Sequence, residues 1–285
     1  MKKLIYCIVF AVAFMTISCH KDEPDNPTLP EDNTETVNDN DNENNEGNGT
    51  QDGDEPQDMT TVVPVAFLVS TVTDRFPDGL KRYVMEVYCE EEKVDETVNI
   101  YDFPSTNSVL IANLREDKQY TCLIWADNGT DSYDISEGLK NVRTGSEPSP
   151  AFSGTMDFNT DTKKYEMSLQ PAVAQIVLKT NVATEGGSGH FGISSATPLD
   201  YAFNVATGDV AETDNSYSPS VDFNVNDDVT KFYTFAPKNS TNVDLIVDYN
   251  GKSQIIKNIT IQKGRTLTLE GNLSNMDFNI KISDI

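Results

Sequence analysis

The feature that most constrains this chain is a period of two. From Val62 onward, apolar and polar residues alternate in short runs rich in Val, Ile, Tyr and Phe. Turn-forming residues interrupt the runs about every eight to twelve positions, the signature of short half-buried strands. The runs are Val62–Val72, Tyr83–Cys89, Val94–Ile100, Ser108–Ala112, Tyr120–Ala126, Tyr165–Leu169, Ala174–Thr180, Phe191–Ser194, Ser220–Val225, Lys231–Phe235, Val243–Tyr249, Ser253–Ile261, Thr266–Leu269 and Phe278–Ile282. Asn250-Gly251 between two of them reads as a type I′ hairpin turn. Pro64 marks the first run as an edge or opening strand, because proline cannot donate to a ladder. No segment sustains a helical period with caps. The fold class is therefore all-β, as two tandem antiparallel β-sandwich domains. We place the first at residues 61–160 and the second at 161–285, with the junction opening at Gly145–Pro150.

The first 60 residues read differently. Lys2 and Lys3 precede an apolar run from Leu4 to Met15, and Thr16-Ile17-Ser18-Cys19 closes it. A basic start, a short apolar stretch and a small residue before the cut make residues 1–18 a signal peptide, too short for a comfortable span. A small residue followed directly by Cys resembles a bacterial lipobox. That resemblance implies lipid attachment at Cys19, whose thiol is the required nucleophile, and anchorage in the outer membrane. Several acyl chains on one residue hold far better than one. The acidic cluster of Asp22 and Glu23 just beyond resembles the surface-export signal of Bacteroidetes lipoproteins.

Residues 19–60 are an acidic tether. Between positions 20 and 60 there are 14 acids and one base, Lys21, with almost no apolar side chains. Such a stretch buries too little surface to offset its ordering entropy and is expected to be disordered. It accounts for about half of the formal charge of −25, and the body from position 61, at −14, outweighs the two positive charges of Lys2 and Lys3. Nucleic acid and anionic lipid need a basic face, so neither is an expected electrostatic partner.

Catalytic chemistry is sparse. Asp39, Asp41 and Glu43 have the opening spacing of an EF-hand loop, but Asn44 and Thr50 stand where it needs Gly and Glu. Asp157, Asn159 and Asp161 fail likewise at Thr162. Gly186-Gly187-Ser188-Gly189-His190 misses the nucleophile elbow at His190, and Gly251-Lys252-Ser253 misses the phosphate loop at Ile246. With one His in the body, no triad or zinc set is expected: no catalytic residue, no metal, no cofactor, and no enzyme. Cys89 and Cys122 lie in separate predicted strands, either paired after export or left as buried thiols. Trp125, inside an apolar run, reads as core before it reads as a sugar platform.

Several stretches together carry a family resemblance. They are Tyr83–Tyr88, Tyr120–Asp127, Leu169–Ile176, and an ending with Lys257-Asn258-Ile259, Gly271-Asn272-Leu273 and Phe278–Ile282. With the lipobox, they resemble the fimbrillin-like outer-membrane lipoproteins of Bacteroidetes, including an uncharacterised branch. The resemblance implies tandem transthyretin-like sandwiches and a surface-exposed pilus subunit, anchor or tip that meets other fimbrial subunits by strand exchange. It also implies a maturation cut after a basic residue beyond the first strand. Arg75, in Thr73-Asp74-Arg75-Phe76-Pro77, is the residue that fits, though Pro77-Asp78-Gly79 equally suits a plain hairpin loop. Phe278, Ile280 and Ile282 form a strand that is either donated or completes its own sheet. The alternative function is a glycan- or peptide-binding surface lipoprotein beside a nutrient-uptake system.

Overall fold

A computed structural model describes residues 61–71, 80–129, 131–181, 187–224, 227 and 229–285. The tether expected at 19–60 lies outside them. The described residues hold no helix and belong to one compact unit, Gln57–Ile285.

The first group of strands is β1 (Val62–Thr71), β2 (Leu80–Cys89), β3 (Glu92–Ser105), β4 (Asn107–Arg115), β5 (Gln119–Asp127), the short pair β6 (Tyr133–Asp134) and β7 (Arg143–Thr144), β8 (Phe152–Asn159) and β9 (Lys164–Pro171). Seven of them run in the order β3-β2-β5-β8-β9-β1-β4. The order folds back at β8 and β9, whose ladder is confined to Phe152 opposite Pro171 and Ser153 opposite Gln170. The turn between them is splayed, so the two strands enter facing layers. Val65, Phe67, Leu110 and Leu169 of one layer pack against Met85, Val87, Cys122 and Ile124 of the other.

The second group is β10 (Ala174–Asn181), β11 (Ser188–Ile193), β12 (Leu199–Asn204), β13 (Asp209–Tyr217), β14 (Ser220–Asn224), β15 (Val229–Thr234), β16 (Thr241–Tyr249), β17 (Lys252–Ile261), β18 (Arg265–Asn272) and β19 (Asp277–Asp284). Two four-stranded sheets, β15-β10-β18-β19 and β14-β11-β16-β17, enclose a core of Ile176, Leu178, Leu267 and Leu269 against Phe191, Leu245 and Val247. The sheets thus divide between Pro171 and Ala174. β9, which the sequence reading gave to the second domain, stays with the first layers because it is the return arm of β8 and pairs with β1. The pairing is also mixed rather than purely antiparallel, since β1–β9 and β10–β18 are parallel.

A third cluster joins the two groups. β2 and β5 are buried on both faces: Tyr83, Met85, Cys122 and Ile124 face the first core, while Val84, Tyr88, Leu123 and Trp125 face the other way. Those outer residues meet Tyr133, Leu139 and Val142 of the 128–151 connection, together with Phe203, Val205, Tyr233 and Phe235 of the second group. The bridge Val142–Phe203 and the bond from Val205 N–H to Leu139 O (3.0 Å) tie the connection across.

Candidate functional site

The first strand forms the site that the sequence points to, but not as an edge. β1 lies between β4, antiparallel, and β9, parallel. Its alternation sends Val65, Phe67 and Val69 inward, where all three are buried. Phe67 meets Phe158 edge-on at 5.0 Å between centroids and stacks with Tyr165 at 5.8 Å. Pro64 is tolerated in this interior strand for a local reason. Ala66 donates its N–H to Lys163 O (2.9 Å), so even-numbered residues of β1 face β9. The β9 ladder begins opposite Ala66, two residues later, so the N–H that Pro64 lacks has no ladder partner to lose. β1 therefore fills a slot with three apolar sockets, open to a strand that places apolar groups at every second position. Burying two Val and one Phe contributes on the order of 6 kcal/mol to holding it there.

Around the slot, the other singled-out residues fall as follows. Cys19 and Arg75 lie outside the described residues. Cys89 and Cys122 are both free; Cys122 is fully buried, and burial pushes its thiol far above the ordinary range. Trp125 is core, at the junction of the two groups, and its Nε1–H donates to Asp127 Oδ2 at 2.7 Å. The Ser188–His190 and Asn250–Ser253 stretches, far apart in sequence, meet in one open depression of about 540 Å³. There His190 Nδ1 lies 2.9 Å from Asp222 Oδ1, and Lys252 Nζ is committed to Ser274 O at 2.8 Å. Among the described residues, no three His, Cys, Asp or Glu side chains converge as metal ligands would. β19 completes its own sheet against β18, leaving Ile280 and Ile282 partly uncovered at the open side.

Sequence reasoning missed the buried charges. Arg82 holds Asp127 through two bonds, Nε to Oδ1 at 2.8 Å and Nη2 to Oδ2 at 2.5 Å, and also donates to Tyr133 O at 2.9 Å. Glu86 accepts from Tyr88 Oη (2.8 Å), Leu139 N–H (2.9 Å) and Lys93 Nζ (3.2 Å). Both groups pin the 128–151 connection onto β2 and β5. A buried charge needs such partners, and these carboxylates have them. The only signal in the sequence was charge, Arg82 and Glu86, beside an otherwise apolar run.

Solved structures of similar architecture come from Bacteroides and Porphyromonas. A candidate adhesin from Bacteroides thetaiotaomicron superposes with a TM-score of 0.50 at 11% identity, covering 80% of this chain and 98% of that one. The tip fimbrial protein Mfa3 of Porphyromonas gingivalis gives 0.49 at 11% identity over 78% of this chain and 100% of that chain. The fimbrial anchor protein Mfa2 of the same organism gives 0.46 at 14% identity over 78% and 98%. The fold is thus one shared with that adhesin, in agreement with the all-β class read from the sequence. By sequence, residues 58–285 match a family of unknown function, DUF6562, and the chain belongs to that family. Among curated proteins, none matches.

Proposed function

We propose that this protein is a surface-anchored lipoprotein of fimbrial type, a structural or adhesive component held to the outer membrane through Cys19. In this reading other fimbrial subunits join it by strand exchange at the β1 slot. The observation that carries the reading is the seat of β1. The first strand of the body is interior, fills apolar sockets, and runs into the segment that contains Arg75. A cut there frees β1, and with it the lipidated Cys19 and the tether, from everything that follows, so the anchored form is the uncut chain and the cut body is released to its neighbours. The vacated slot then accepts an extended strand from a neighbour, which is β-augmentation. Acidic residues of the tether hold the body in water, clear of the membrane.

Two measurements test this. Cys19→Ser should remove the protein from the outer-membrane fraction, and a block of lipoprotein signal processing should leave a larger precursor that still carries residues 1–18. Tryptic clipping at Arg75 should yield multimers that resist SDS without heating, and Arg75→Ala should abolish them. A clipped chain that stays monomeric, or a Cys19→Ser protein that fractionates unchanged, refutes the corresponding half of the proposal.

A further inference from the structure

β3 and β4 stand at the two ends of the seven-strand order, and strand edges carry unpaired backbone groups that template the addition of another chain. Here the two ends face each other. On β4 the even-numbered residues turn their backbone toward β1, as the flanking bonds Thr71 N–H to Thr106 O and Glu116 N–H to Thr61 O show. Val109, Ile111 and Asn113 therefore turn theirs toward β3. No backbone ladder joins β3 to β4; three side chains of β3 reach the β4 backbone instead, beside a side-chain bond between Tyr101 Oη and Ser108 Oγ at 2.8 Å. Asp95 Oδ2 accepts the Asn113 N–H at 2.8 Å, Thr97 Oγ1 donates to Ile111 O at 2.9 Å, and Asn99 Nδ2 donates to Val109 O at 2.9 Å. Their spacing of two matches the spacing of the groups they reach.

The same seam is apolar outside. Val98 is 44% exposed, Ile100 69%, Val109 52% and Ile111 50%. An open edge lined with β-branched residues is what a second chain would pair with.

We propose that Asp95, Thr97 and Asn99 decide which edge of this protein takes part in assembly. They occupy the free edge of β4 and keep it from accepting a strand of a second copy, so that strand addition goes elsewhere. This holds whether or not the β1 slot exchanges strands, and it is tested without clipping or lipidation.

The test is light scattering over a concentration series, with circular dichroism to verify folding. The wild-type protein should stay monomeric. The triple variant Asp95→Ala, Thr97→Val, Asn99→Ala should associate at concentrations at least tenfold lower. Adding Ile111→Pro should restore the monomer, because the N–H it removes faces the seam and not β1. In Asp95→Ala alone, exchange of the Asn113 amide should quicken about tenfold, the low end for a hydrogen bond to a charged group. A folded triple variant as monomeric as wild type overturns the proposal. So does association that Ile111→Pro leaves intact. Should the triple variant unfold, Asp95→Ala with Asn99→Ala is measured in its place, and a monomer there counts equally against it.

Discussion

Replacing Trp125 with Ala tests whether the two strand groups unfold as one body. Trp125 is 0% exposed, with Tyr133, Phe203 and Phe235 rings at 5.2, 5.6 and 6.4 Å. Removing a buried aromatic of this size costs about 3–5 kcal/mol. Its N–H also serves Asp127, and losing a hydrogen bond to a charged group adds about 1.5–3 kcal/mol. Asp127 keeps the Arg82 fork and the Gly129 N–H, so the lower end applies. The expected loss is about 5 kcal/mol, comparable with the whole stability of many domains. Because the ring sits between the groups, the loss should also split unfolding into two transitions with a smaller first denaturant slope. Trp125→Phe keeps most of the packing and should cost about 2 kcal/mol, chiefly the lost donor. The assay is urea unfolding followed by far-ultraviolet circular dichroism, since Trp125 is the only Trp and its fluorescence disappears with it. A Trp125→Ala loss below about 1.5 kcal/mol, or a single transition with unchanged slope, refutes the reasoning, as such a value is typical of a peripheral contact.

Three further outcomes follow from the packing. Burial holds Tyr83, Tyr217 and Tyr233 up at about 12, against 10.0 when free, so stability should be intact below pH 10 and fall as pH rises from 10 toward 12; the tyrosinate absorbance of these three, read as the difference from their Phe variants, should appear together with unfolding, and their titration in the folded state near pH 10 would contradict this. Of the two body cysteines, the half-buried Cys89 should react with a thiol reagent in the folded protein and Cys122 only in denaturant, a difference read by mass spectrometry. Gly271→Ala drives a Cβ into the Asp277 carbonyl oxygen, so β19 should detach from β18 and become the first site of proteolysis, with unchanged protease resistance as the contrary result.

Period two carried most of the strand assignment, because a residue's face in a strand depends only on its parity. The Asn250-Gly251 turn is also as read, with both residues at positive φ, 48° and 74°. What periodicity leaves open is what covers each face. β2 and β3 both alternate, yet β2 is buried on both sides and β3 exposes Val98 and Ile100. The difference lies in the 128–151 connection, which folds over β2 and β5 but stops short of β3, and its partners sit about fifty positions away in the chain. Arg82 and Glu86 were unreadable for that reason, since a charge inside a strand reads as its wet face until its partner is known. β12 and β13 escaped because Asp209–Tyr217 is mostly polar and takes its order from Tyr201, Ala202 and Phe203 opposite. Pro64 marked an edge or opening strand, and the second alternative is the one that holds, since β1 opens the body but lies inside its sheet. The proline rule concerns the side the missing N–H faces, and one end of an interior strand can satisfy that as well as an edge does. The polar triad Asp95, Thr97 and Asn99 looked like an ordinary solvent face at spacing two. Only the corner that brings β4 alongside turns the same three residues into the partners of its open backbone, so their role belongs to the topology and not to the strand that carries them.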